Sequence, residues 1–134
     1  MPITLLQKLL LSVMAVSLPA IGLFYGAAPD VSLPWMFGFD ASDLNLRHIF
    51  RAMMGLYFAM VALWIAGAMR PNLRLPALWS MVAFTGGIGS GRLLSLLLDG
   101  IPHPLLIIWM VLEFVIAATA YLLIVKDTRS AVNA

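Results

Sequence analysis

The chain has 134 residues, 63% of them hydrophobic and only 10% charged, with a mean hydropathy of +1.01. That composition lies outside the soluble globular range and points to a membrane protein of one domain, residues 1–134. A formal charge of +2, spread along the chain, gives no basis for a nucleic-acid partner, and the lack of cysteine excludes disulfides, iron–sulfur clusters and thiolate zinc sites.

Four apolar segments follow one another, at about residues 3–26, 44–69, 75–98 and 104–125. Each approaches or exceeds the roughly 20 residues that a helix needs to cross a hydrocarbon core. Their apolar runs are continuous rather than alternating, which argues against strands. The expected fold is an all-α membrane protein, a four-transmembrane-helix antiparallel bundle with one longer periplasmic linker. In the first segment, Lys8 and the small residues Gly26-Ala27-Ala28 resemble a signal peptide with its cleavage site, but the segment is read as a retained helix. Pro19 falls inside it and predicts a kink.

The linker Ala27–Asp43 carries Asp30, Asp40, Asp43 and the patch Leu33-Pro34-Trp35-Met36-Phe37-Gly38-Phe39. An aromatic patch of this kind reads as an anchor at headgroup level, or as a lid over a site between the helices. Asp43 is placed to cap the second helix. That helix ends at Arg70-Pro71, and a short loop with Arg70 and Arg74 leads to the third, which ends at Asp99-Gly100.

With four crossings, Lys8, Arg70, Arg74, Lys126 and Arg129 share one side, and Asp30, Asp40, Asp43 and Asp99 share the other. The excess of basic residues marks the inner side. The chain therefore reads as a multi-pass protein of the cell inner membrane with both termini cytoplasmic.

Arg51 lies eight residues beyond Asp43, Arg92 seven before Asp99, and Glu113 nine after Pro104. At 1.5 Å per residue these charges lie roughly 10–14 Å in from the acidic side, on three different helices. Charges at such depth are paired, turned inward or functional. An Arg–Glu–Arg cluster is expected, extended by Arg47 one turn from Arg51 and by a stripe of Arg92, Ser95 and Asp99. With Arg47, Arg51 and Arg92 set against Glu113, the interior carries surplus positive charge. The cluster serves either as a structural lock or as a ligand site.

Gly87 and Gly91 form a GxxxG spacing, Gly86 and Ser90 repeat it one face round, and Gly55 lies below Arg51 on its helix. These glycines predict close helix packing, within the bundle or in a homodimer. His48 and His103 lack metal-ligand spacing, and Ser95, Asp99 and His103 match no nucleophile turn. The sequence therefore assigns no catalytic residue, no metal and no cofactor.

The run from Arg51 through Gly55 to Tyr57, the pattern Gly91-Arg92-Leu-Leu-Ser95-Leu-Leu-Leu-Asp99-Gly100-Ile-Pro102, and Glu113 resemble a family of small bacterial four-helix membrane proteins catalogued as a domain of unknown function. The resemblance covers about residues 44–124 well and the first helix loosely. It implies a four-helix inner-membrane protein and brings no activity. From the residues themselves, the expected function is binding of an amphipathic or lipid-like ligand within the polar cluster, with membrane lipids as partners. The alternative is an accessory subunit packed against a larger membrane complex.

Overall fold

Prolines and one acidic cap set where the helices begin. The computed structural model describes residues 2–132, with side chains through Thr128. Its helices are α1 (Ile3–Gly26), α2 (Pro29–Phe37), α3 (Leu44–Met69), α4 (Pro71–Leu98) and α5 (Pro104–Val132). Four of them, all but α2, are long and apolar enough to cross a membrane, which marks a multi-pass membrane protein.

The helix α2 is an addition to the sequence reading, which left residues 27–43 as linker. Pro29 occupies the first turn, where a missing N–H costs nothing. Gly38 ends it with a φ of 76° that favours glycine, and its N–H donates to the Pro34 carbonyl at 2.9 Å. The Ser32 hydroxyl donates to the carbonyls of Ala28 and Phe24, tying α2 to the end of α1. Leu33 is fully buried, while Trp35 is 80% exposed.

Asp43 caps α3 as expected, its Oδ1 accepting from the N–H groups of Asn45 at 2.8 Å and Leu46 at 3.2 Å. Two helix bounds differ from expectation. The predicted loop of residues 70–74 shrinks to Arg70 in an extended conformation, because Pro71 opens α4 rather than only ending α3. As a result Arg74 is buried in the first turns of α4. The polar tail from Lys126 continues α5 through Val132, since no glycine or proline interrupts it. The side chain of Arg129, counted above on the basic side, lies outside the described residues, as do residues 133 and 134 of that tail.

In lipid, burying apolar surface between helices gains little, because acyl chains are equally apolar; close packing must hold the bundle instead. It does so most tightly near Arg70, where Leu11, Trp64, Ala77, Leu78, Met81 and Ala120 are fully buried. A Cβ at Gly67 would collide with that of Ala77, and one at Gly26 with Met54, so α3 approaches α4 and α1 at van der Waals limits. Gly22 repeats this beside Tyr57, where an added Cβ would meet the Tyr57 Cβ at 3.3 Å.

These are not the glycines the spacing selected. A Cβ at Gly55, Gly87 or Gly91 meets no atom within 4 Å, and all three are exposed. Gly86 makes only an ordinary contact with Ala117, at 3.7 Å. The small-residue pattern thus lies largely on the outer surface of α3 and α4 rather than in their seams.

A column of aromatic rings links the two ends of the bundle. Trp64 meets Phe84, Phe84 meets Tyr57, Tyr57 meets Tyr25, and Tyr25 meets Trp109, with centroids 5.3–6.0 Å apart. Phe37 of α2 closes the column on Trp109 at 6.0 Å. All these contacts are edge-on, the arrangement that aligns ring edges with faces.

Candidate functional site

Packing relaxes on the far side of Tyr57, and a cavity of about 240 Å³ opens among α1, α3, α4 and α5. Its walls are apolar: Met14, Leu18 and Ile21 from α1, Phe84 and Ile88 from α4, Trp109 and Ile116 from α5. Ser17 and Leu112, both exposed, also line it, so its mouth lies between α1 and α5, two helices that touch only sparingly. That mouth opens midway along α1 and α5.

The polar groups gather at one end. The Nε–H of Arg92 is shared between both carboxylate oxygens of Glu113, at 3.1 Å to Oε1 and 3.0 Å to Oε2. A terminal guanidinium nitrogen donates to the Tyr25 hydroxyl at 3.4 Å, and the guanidinium lies 5.9 Å from the centre of the Trp109 ring. Sharing one N–H leaves most of the guanidinium fork unused, unlike two parallel bonds to a carboxylate. The side chains are 20% and 15% exposed, mostly shielded yet open to the cavity.

Helix geometry brings the pair together. From Arg92 and Glu113 the α4–α5 contacts proceed through Gly89 with Phe114 and Gly86 with Ala117 to Trp79 with Tyr121. Gly89 allows this approach: a Cβ there would stand 3.3 Å from the Phe114 ring. Rotation about each helix decides who joins. On α3, Phe50 and Tyr57 face Tyr25, so they mark the inner face. Arg51, one residue and about 100° round from Phe50, is exposed and makes no hydrogen bond or ion pair among the described residues.

The expected three-helix Arg–Glu–Arg cluster is therefore an Arg92–Glu113 pair alone. Arg47 is half-buried, with an Nε that lacks a partner among the described residues, and lines neither cavity. Ser95 and Asp99 form a bond of their own, the hydroxyl donating to Oδ2 at 2.7 Å, in an exposed position. It offsets the unfavourable placement of a carboxylate at a helix C-terminus. Ser95 and Arg92 also line a second cavity of about 90 Å³ with Pro102 and Leu106, so Arg92 separates the two spaces.

The cavity's ionic groups consequently cancel, one cation against one anion, where the sequence had predicted surplus positive charge. Its remaining polar groups are hydroxyls. Ser17 and Thr85 donate to the carbonyls of Val13 and Met81, at 2.9 and 2.8 Å. Tyr57, only 3% exposed, makes no hydrogen bond among the described residues. Sequence reasoning met Tyr57 only within the family pattern and missed Tyr25, Thr85 and Trp109. For the two tyrosines, a phenol within an apolar run was the available sign, since such a ring carries a polar end that calls for a polar neighbour.

His103 has a local role: its Nδ1 accepts from the Leu105 N–H at 3.3 Å, capping α5, and its ring stands 5.8 Å from that of Phe37. Among the described residues no three His, Cys, Asp or Glu side chains are grouped to hold a metal ion.

No curated protein and no solved structure matches this chain. A family match does cover residues 6–124, which take in α2, α3 and α4 whole, most of α1 and α5, and both residues of the ion pair. The chain belongs to the family described as a domain of unknown function, DUF4345.

Proposed function

We propose that the protein binds an amphipathic or lipid-like molecule from within the membrane, taking it through the gap between α1 and α5. One observation carries this reading: an apolar cavity opens toward the acyl region and has its ionic pair at one end only. Such a site suits a molecule with one polar end. In this reading the four long helices form an antiparallel bundle in the inner membrane. Both termini are cytoplasmic and residues 27–43 periplasmic, as the basic residues at the Arg70 end favour. The α2 helix then lies at headgroup level, its exposed Trp35 as anchor and its Phe37 over the polar end of the cavity.

Native mass spectrometry of gently extracted protein tests the reading. The wild type is expected to carry a bound lipophile, and Ser17→Phe, which fills the mouth from an exposed position, is expected to lose it. A wild type without adduct, or an adduct that Ser17→Phe retains, overturns it. A second reading, as an accessory subunit or homodimer, is favoured by the exposed Gly87 and Gly91, which leave room for a neighbouring helix. It predicts a partner mass in the same spectrum.

A further inference from the structure

The charge balance and the unused donors of the cavity narrow the class of molecule it can hold. We infer that the polar end of the ligand is an uncharged group bearing an accepting oxygen, a carbonyl or hydroxyl, received by the Tyr57 hydroxyl and the unused N–H groups of Arg92. This rests on the binding reading above and goes beyond it.

Consider first an anionic head. It would have to share Arg92 with Glu113, whose oxygens already hold the Nε–H at 3.0 and 3.1 Å. Arg47 and Arg51 line neither cavity, so no other arginine offsets the added charge. A cationic head faces the mirror problem at Glu113. Either would bring net charge into a space walled by Met14, Leu18, Ile21 and aromatic rings, where unpaired charge is strongly disfavoured.

A neutral oxygen meets the opposite conditions. The Tyr57 ring is buried and borders the cavity, while its hydroxyl makes no hydrogen bond among the described residues and is not one of the fully enclosed polar atoms, so it stands open to the space beside it. A donor left unused at the wall of an apolar cavity is a natural anchor for an acceptor. Arg92 commits Nε–H to Glu113 and one terminal N–H to Tyr25, which leaves the rest of its five donors free. The size of the cavity fits as well. A cavity of about 150 Å³ admits benzene, so about 240 Å³ accommodates a substituted ring or an ester with the start of its chain. The remainder of the chain leaves past Ser17 and Leu112.

Three probes with one chain length separate the cases: methyl dodecanoate, dodecanoate and dodecylammonium, titrated by native mass spectrometry in a maltoside detergent. The ester is expected to bind wild type about ten-fold tighter than either charged probe, a difference that one unpaired charge readily produces. Tyr57→Phe keeps the ring contacts and is expected to weaken the ester about five-fold, the worth of one hydrogen bond, while leaving the charged probes unchanged. Glu113→Gln leaves Arg92 unbalanced and is expected to turn the preference toward dodecanoate, which keeps the inference testable even if Tyr57→Phe fails to fold. Tightest binding of dodecanoate or dodecylammonium to wild type overturns the neutral head and leaves the cavity reading intact. Unchanged ester affinity in Tyr57→Phe removes Tyr57 as its receiver and overturns the inference as stated. If no probe binds, or if Ser17→Phe binds all three like wild type, the cavity reading itself falls.

Discussion

The Arg92–Glu113 pair makes a prediction with both a size and an asymmetry. At an effective dielectric of about 20, unit charges about 4 Å apart attract by about 4 kcal/mol, and removing one partner of a buried pair costs about 3–5 kcal/mol. The two single changes leave different orphans. After Glu113→Leu, Arg92 keeps the Tyr25 hydroxyl and the face of Trp109, a cation–π contact worth about 0.5–2 kcal/mol. After Arg92→Leu, no other donor to Glu113 remains among the described residues. Glu113→Leu is therefore expected near the lower end, about 3 kcal/mol, and Arg92→Leu near the upper end, about 5 kcal/mol. The double change removes both orphans and is expected to fall short of the sum by about 2–3 kcal/mol. Reversible unfolding in mixed detergent, run as a double-mutant cycle, measures all three. Losses additive within about 0.5 kcal/mol, or a costlier Glu113→Leu, would refute the reasoning.

Other consequences are equally direct. Gly67→Ala is expected to lose about 1–3 kcal/mol through collision with Ala77, whereas Gly87→Ala is expected to be neutral or to gain about 0.5–1 kcal/mol from helix propensity; equal melting temperatures for the two would contradict the packing. The Ser42 backbone N–H and hydroxyl both bond to Asp40 and hold its carboxyl below the usual aspartate range. Because the folded value is the lower one, this contact stabilises the turn above the unfolded value of about 3.9 and is lost as pH falls through the folded value. A carboxyl titration by NMR is expected to show an upward shift of the Asp40 midpoint in Ser42→Ala. For the proposed orientation, reporter fusions within residues 27–43 are expected to show periplasmic activity and those after Val125 cytoplasmic activity; periplasmic activity from the fusion after Val125 would defeat it.

Much of this architecture is legible in the residues, and the misses have one physical origin. A continuous apolar run reports its own length, so all four long helices could be read, and Asp43 announced its cap. Depth along a helix also follows from counting, which is how Arg92 and Glu113 came to face each other across one turn. Counting residues, however, gives level and not rotation. Arg51 stands at the expected level, yet the inner face of α3 belongs to Phe50 and Tyr57. The glycines show the same limit: GxxxG spacing identifies a face of small residues without telling what it faces, and Gly87 and Gly91 look outward. A proline misled differently. Pro71 reads as the end of one helix, although at the start of the next the same ring is already in place for the first turn.

The single-residue connection at Arg70 bears on how the chain reaches the membrane at all. Pro71 begins α4 immediately, and Gly67 against Ala77 and Trp64 bonded to Ser80 at 3.1 Å seal the two helices from the turn upward. A connection this short stays on its own side of the membrane and holds the start of α4 against the end of α3 as soon as both exist. The two helices, Leu44–Leu98 with Arg70 between them, are expected to enter as one hairpin whose two arms each span the hydrocarbon core. Synthesis and insertion are thereby coupled: lengthening the turn would let α3 settle alone, exposing the Trp64 indole N–H to hydrocarbon until Ser80 arrives.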